Sequence, residues 1–204
     1  MGSVDNHFIE TYENALSDEM CDNAVDTIRF LVDRAKEDPE TFKKEVVFDN
    51  DKTRNDISIF PIAFQSCKEI VDGIYSSLNK HYDLYREKYT IGTKFEDAYF
   101  QNPKLQMSTS GGGFTNWHCE QGPNACSSRF LVWMFYLNDV EKGGKTDFFY
   151  QNISFQPKKG SLLIWPAAFT HTHRASPDLK EDKFIATGWF HYPSDYVPKP
   201  HIIS

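Results

Sequence analysis

At 204 residues the chain is long enough for one domain with a substantial core and too short to favour two. Its 29 acidic against 22 basic side chains, a formal charge of −7, argue against general binding to nucleic acid or anionic membrane, since both need a basic face. The four cysteines (Cys21, Cys67, Cys119, Cys126) form no CxxC pair, no apolar run reaches membrane-helix length and the N-terminus lacks a basic-then-apolar leader, so a soluble, cytoplasmic protein with reduced thiols is expected.

In chain order, residues 7–12 predict a short strand. Ser17-Asp18-Glu19 offers an N-cap and an acidic first turn for a helix to about Lys36, with Met20, Cys21, Ala24, Ile28, Leu31, Val32 and Ala35 as its apolar stripe. Residues 37–56, rich in Asp, Asn and Lys, predict a polar, mobile loop. A second helix is expected from about Ser66 to Lys88, its apolar side running from Cys67 to Tyr85. From Phe95 the texture turns to short β-rich runs: 98–109, 129–138, 146–151, 161–165, 170–176 and 183–192. Three glycines at 111–113 read as a permissive turn, because no helix start or GK[ST] follows to make a phosphate cradle. Helices first and strands second give an α+β chain with an antiparallel β core. It is expected to be one domain over 1–204, with supporting elements in 1–94 and the core in 95–192.

The candidate chemistry lies between Thr115 and Lys183. His118 and Glu120 are two apart, so on an extended chain both side chains face the same way. With a distant histidine, His173, they supply the minimum for a site of two histidines and one carboxylate, which holds non-haem Fe(II) and leaves cis positions open. A His-x-Glu pair alone is weak. The second half adds weight: on a strand over 183–190, Lys183, Ile185, Thr187 and Trp189 share a face, and an inward lysine is costly unless an anion meets it. Near such an iron the simplest anion is the distal carboxylate of a 2-oxo acid.

Four pieces in order resemble the Fe(II)/2-oxoglutarate-dependent dioxygenases, in their prolyl 4-hydroxylase-like branch with its small bacterial and phage members. They are His118-Cys119-Glu120 and the run from Arg129 through Tyr136-Leu137-Asn138-Asp139-Val140 to Gly143-Gly144-Lys145-Thr146-Asp147-Phe148. Then come Lys158-Lys159-Gly160-Ser161-Leu162-Leu163 and His173-x-x-x-Pro177 with Lys183. The resemblance implies a double-stranded β-helix (jelly-roll) core backed by N-terminal helices. It implies His118, Glu120 and His173 as catalytic iron ligands, and Lys183 and Tyr136 on the C5 carboxylate of 2-oxoglutarate. The cofactors implied are Fe(II), 2-oxoglutarate and O₂, with ascorbate as an auxiliary reductant. Most prolyl hydroxylases carry Asp where this chain has Glu120, whose extra methylene must fold back or sit on a more distant backbone. His171 shares a face with His173 and competes with it; Pro177 and Lys183 both register on His173. Cys119 should point away from the metal and pack, and a Cys119/His118/His173 zinc site would need the wrong pleat face for the thiol.

The expected activity is hydroxylation of an unactivated C–H bond, with a prolyl residue of a peptide or protein as the substrate that the resemblance suggests. Hydroxylation of a free amino acid or other small metabolite is the alternative enzyme. A metal- or sugar-binding jelly-roll without catalysis is the alternative of another class. The segments expected to select the substrate are 37–56 and 110–116.

Overall fold

The computed structural model describes residues 7–51, 54–89, 98–100 and 102–192. The boundary expected at 94/95, and residues 95–97 where the β-rich texture begins, lie outside them.

Chain entry is a three-residue strand, β1 (Glu10–Tyr12), shorter than the expected 7–12. Helix α1 (Asp18–Glu37) starts where its cap dictates: Ser17 is extended, and its hydroxyl accepts from the Met20 amide at 3.2 Å. Its stripe of Cys21, Ala24, Ile28, Leu31, Val32 and Ala35 is buried. Residues 37–56 are not the polar loop that their composition predicts. They hold a one-turn helix, α2 (Pro39–Phe42), and a hairpin of β2 (Val46–Asn50) with β3 (Arg54–Ile59), paired from Val46↔Ile59 to Asn50↔Asn55. The polar residues mislead because they alternate along β3: Arg54, Asp56 and Ser58 point one way and bind one another and Gln106, while Ile59 enters the core. Two 3₁₀ turns then lead into α3 (Lys68–Tyr89), which buries Ile70, Val71, Ile74, Leu78, Tyr82 and Tyr85.

The expected strand over 98–109 is broken into β4 (Tyr99–Phe100) and β5 (Lys104–Ser108). Pro103 stands between them and has no amide to give a ladder. The short β6 (Gly113–Phe114), β7 (Arg129–Tyr136), β8 (Thr146–Phe148), β9 (Ile153–Phe155), β10 (Leu162–Pro166), β11 (His173–Ala175) and β12 (Lys183–His191) follow. β8 ends three residues before the expected Gln151, and Asn152, in the left-handed region at φ 53°, turns the chain into β9, which the sequence reading did not anticipate. Of the expected strand 170–176 only β11 is extended; Phe169–His171 is a 3₁₀ turn.

The larger sheet runs β1-β10-β7-β12-β5-β3-β2, with β4 on β12 and β6 on β3; a smaller sheet runs β11-β8-β9. Phe184, Ala186 and Phe190 of β12 face α1 and α3 in the main core with Trp133 and Phe135. Gly188 lies opposite Trp133 in that register, and a Cβ there would sit 2.4 Å from the indole. The opposite face of the large sheet packs on the small one through Val132, Leu163 and Trp165 against Phe148, Ile153 and Phe155. Two facing antiparallel sheets with helices outside the larger one make the α+β jelly-roll expected. Each fully buried aliphatic or aromatic side chain contributes ~1.5–3 kcal/mol, so both seams are substantial. No helix among the described residues is long and apolar enough to cross a membrane.

Candidate active site

The two histidines are brought together by backbone pairing. His118 and His173 form an isolated antiparallel bridge, exchanging N–H···O bonds of 3.0 and 2.8 Å. Directly opposed residues of such a pair put their side chains on one face, and the imidazole centroids are 4.4 Å apart. Two residues on, the Glu120 amide donates to Ala167 O at 3.1 Å and its side chain turns to the same side. Glu120 Oε1 lies 3.4 Å from His118 Nε2 and 3.8 Å from His173 Nε2. Among the described residues these three form the one cluster whose ligand atoms all fall within 4.8 Å of one another.

The atoms behind these groups fix which lone pairs face inward. His118 Nδ1 lies 2.8 Å from Asn116 O, and His173 Nδ1 lies 2.9 Å from His171 O. A carbonyl can only accept, so each Nδ1 carries the proton and each Nε2 presents its lone pair to the centre, the arrangement metal-binding histidines use. Glu120 is oriented in the same manner. Its outer oxygen, Oε2, accepts from Trp189 Nε1 at 3.0 Å and Arg129 Nη1 at 3.2 Å, leaving Oε1 to the centre. The Arg129 guanidinium also lies 3.5 Å over the Trp189 ring. Burial pushes the His173 imidazole down to about 4, helped by the His118 charge, so it is neutral at pH 7. Burial would push the Glu120 carboxyl up. The interactions with His118, His173 and Arg129 outweigh it and hold the group at about 2, so it is a carboxylate at pH 7. Two neutral nitrogens and one carboxylate oxygen, all oriented from behind, fit a divalent transition ion such as Fe(II).

These groups open into a cavity of about 510 Å³ between the sheets. Lys183, the first residue of β12, is buried in its wall, where its ammonium donates to Gly144 O at 2.7 Å and lies 5.4 Å over the Tyr136 ring. Gly143 and Gly144 both adopt positive φ, 75° and 62°, which turns that carbonyl toward the lysine. Burial pushes the ammonium down to about 8 against the opposing charge of Asp147.

Of the residues expected from sequence, His118, Glu120, His173 and Lys183 all line this cavity. Tyr136 lies beneath it: the side chain is buried and its hydroxyl bonds Thr146 Oγ1 at 2.7 Å, and it is Thr146 that lines the wall. His171 is turned away, with Nε2 2.7 Å from His7 O and Nδ1 2.9 Å from Thr170 Oγ1. The Cys119 thiol donates to Gln121 O at 3.3 Å and stays out of the converging cluster. Sequence reading gave no role to Arg129, Trp189 or Thr146. Trp189 had a signal, since strand alternation sets it on the Lys183 face.

Residues 104–191 match the family model described as the 2OG-Fe(II) oxygenase superfamily. Over 84 residues, 38% of this chain and 16% of the relative, the chain is 31% identical to human prolyl 4-hydroxylase subunit alpha-1. It is 23% identical over 150 residues to prolyl 4-hydroxylase 13 of Arabidopsis thaliana, covering 56% of this chain and 54% of that one. The chain thus spans about a sixth of the human relative and about half of the plant one. Among solved structures, the viral collagen prolyl hydroxylase of Paramecium bursaria Chlorella virus-1, in complex with 2-oxoglutarate, superposes with a TM-score of 0.64 at 18% identity, covering 95% of this chain and all of that one. A Trichoplax adhaerens prolyl hydroxylase, solved with a hypoxia inducible factor peptide, gives 0.66 at 13% identity, over 93% and 86%. At these identities the structural likeness carries the fold.

Proposed function

We propose, for a chain whose residues 104–191 belong to the 2OG-Fe(II) oxygenase superfamily in its prolyl 4-hydroxylase-like branch, that it is an Fe(II)- and 2-oxoglutarate-dependent hydroxylase of an unactivated C–H bond, with a prolyl residue as substrate. The observation that carries this reading is a single cavity that holds both the converging His118, Glu120 and His173 atoms and a buried lysine. A jelly-roll that only bound metal or sugar would have no use for Lys183 in that wall, where an ammonium is costly without an anion.

His118 Nε2, Glu120 Oε1 and His173 Nε2 would hold Fe(II), and Lys183 with Thr146 would receive the C5 carboxylate of 2-oxoglutarate. Bound there, iron and 2-oxoglutarate supply the oxidising power of O₂, 2-oxoglutarate leaving as succinate and CO₂ while the substrate gains one oxygen atom. The chain contributes position and dryness. Asn116 O and His171 O keep the imidazoles in one tautomer, Arg129 and Trp189 keep Glu120 from swinging, and Val132, Met134 and Trp165 wall the cavity against bulk water. Prolyl specificity is supported by the names of the relatives.

The test is a peptide-library incubation with Fe(II), 2-oxoglutarate and isotopically labelled O₂, read by mass spectrometry. One labelled oxygen on a prolyl residue, absent with His173→Ala, is the expected result. Labelled oxygen only on other residues or on small molecules would overturn the prolyl assignment.

A further inference from the structure

The cavity holds a second lysine that the proposed chemistry leaves unused. Lys104 opens β5 and lines the wall opposite Thr187, whereas Lys183 lies opposite Ser108. Four residues along a strand separate the two backbone positions on one face, about 13 Å, and the Lys183 ammonium is held at its own end by Gly144 O. Lys104 is at the metal's end: Trp189, two residues beyond Thr187, reaches Glu120.

Its neighbours are already engaged. Arg54 pairs with Asp49 at 3.1 Å and with Asp56 Oδ1 at 3.2 Å, and Gln106 donates to Asp56 Oδ2 at 3.1 Å and to Ser58 at 3.3 Å. Both Asp56 oxygens thus already accept from other donors, and Glu120 is held by Trp189, Arg129 and the histidines. Among the described residues, no hydrogen bond or ion pair reaches the Lys104 ammonium. Burial, and then Arg54, push its pKa down, against the smaller opposing effects of Asp56, Glu120 and Asp49. A half-buried ammonium without a partner is unfavourable unless something in the cavity meets it.

We propose that Lys104 is the anion-recognition point for the substrate, so that the molecule hydroxylated presents a carboxylate close to its reacting carbon. This rests on the hydroxylase reading and narrows its substrate class. The carboxylate belongs either to a free amino acid or to an acidic residue beside the target in a peptide, and both place the same group on the lysine.

The test uses two matched pairs: L-proline with prolinamide, and two peptides that differ only in Asp or Asn beside the proline. Binding to the full chain loaded with Fe(II) and 2-oxoglutarate, without O₂, is read by fluorescence of Trp165 and Trp189, which line the cavity. A hydrogen bond between charged groups corresponds to at least about 10-fold in affinity, so at least one carboxylate should bind that much tighter than its amide. The pair showing the preference identifies the source. Lys104→Met should bring the ratio to about one and Lys104→Arg should keep it. Equal binding within both pairs, or a ratio that survives Lys104→Met, overturns the inference. Succinate release without added substrate reports on the hydroxylase reading separately.

Discussion

Neutralising Lys183 probes the end of the cavity proposed to receive 2-oxoglutarate. Its ammonium rests on Gly144 O and the Tyr136 ring, and burial holds its pKa at about 8. Truncating one partner of a buried charge pair costs ~2–5 kcal/mol, roughly 30-fold to several thousand-fold in affinity. Lys183→Ala should therefore raise the apparent KM for 2-oxoglutarate at least 30-fold and leave metal affinity nearly unchanged. Thr146→Val removes a hydroxyl bonding a charged group, ~1.5–3 kcal/mol, and Tyr136→Phe, acting through Thr146, should cost less. The same reasoning fixes a pH dependence. The folded pKa is depressed, so the charged form that attracts a carboxylate is present below pH 8 and lost above it. The apparent KM should climb about tenfold per pH unit above that point. In the ligand-free fold the sign reverses. Between about 8 and the ordinary lysine range the unfolded chain binds the additional proton, so this group adds stability as pH rises. Steady-state succinate assays from pH 7 to 9.5, at fixed metal loading, read the effect. A flat KM across that range, or a Lys183→Ala protein that binds 2-oxoglutarate like the parent, would refute the anchor.

Trp189→Phe removes one of the two donors that hold Glu120 Oε2, and removing a partner behind a metal ligand typically weakens metal binding 10–100-fold; calorimetric titration with Fe(II) or Co(II) should show a loss in that range. His171→Ala should keep metal loading intact, since both of its ring nitrogens are spent on His7 O and Thr170; metal loss equal to that of His173→Ala would mean that the distal ligand is misassigned. Gly188→Ala should lower stability by ~1–3 kcal/mol in urea unfolding, because its Cβ would meet Trp133 in a packed core; an unchanged midpoint would contradict the packing described.

The helices were legible because their stripes and caps follow backbone periodicity, as at Ser17 and along Cys21 to Ala35. The converging trio was legible because His-x-Glu alternation follows strand geometry and because Pro177 and Lys183 register on His173 as in the family that the sequence resembles. The hairpin of β2 and β3 was not, since Arg54 and Asp56 look like loop residues until the cavity that solvates them is known. Arg129 was visible in the motif but had no assignable role. Its bond to Glu120 depends on Ala167, whose carbonyl accepts from the Glu120 amide and whose amide bonds Phe130 beside Arg129, a contact with a distant segment. The bond from the Tyr136 hydroxyl to Thr146 is something no one-dimensional pattern records, since it joins two strands.

If His118, Glu120 and His173 hold the metal, succinate release from 2-oxoglutarate must depend on both the metal and the three side chains. The full chain, incubated with 2-oxoglutarate and O₂, should form succinate with Fe(II) and none after chelation, and His173→Ala should form none under either condition. Succinate release that persists in His173→Ala, or that the parent fails to show with Fe(II) bound, would mean that these side chains do not form an oxygenase centre.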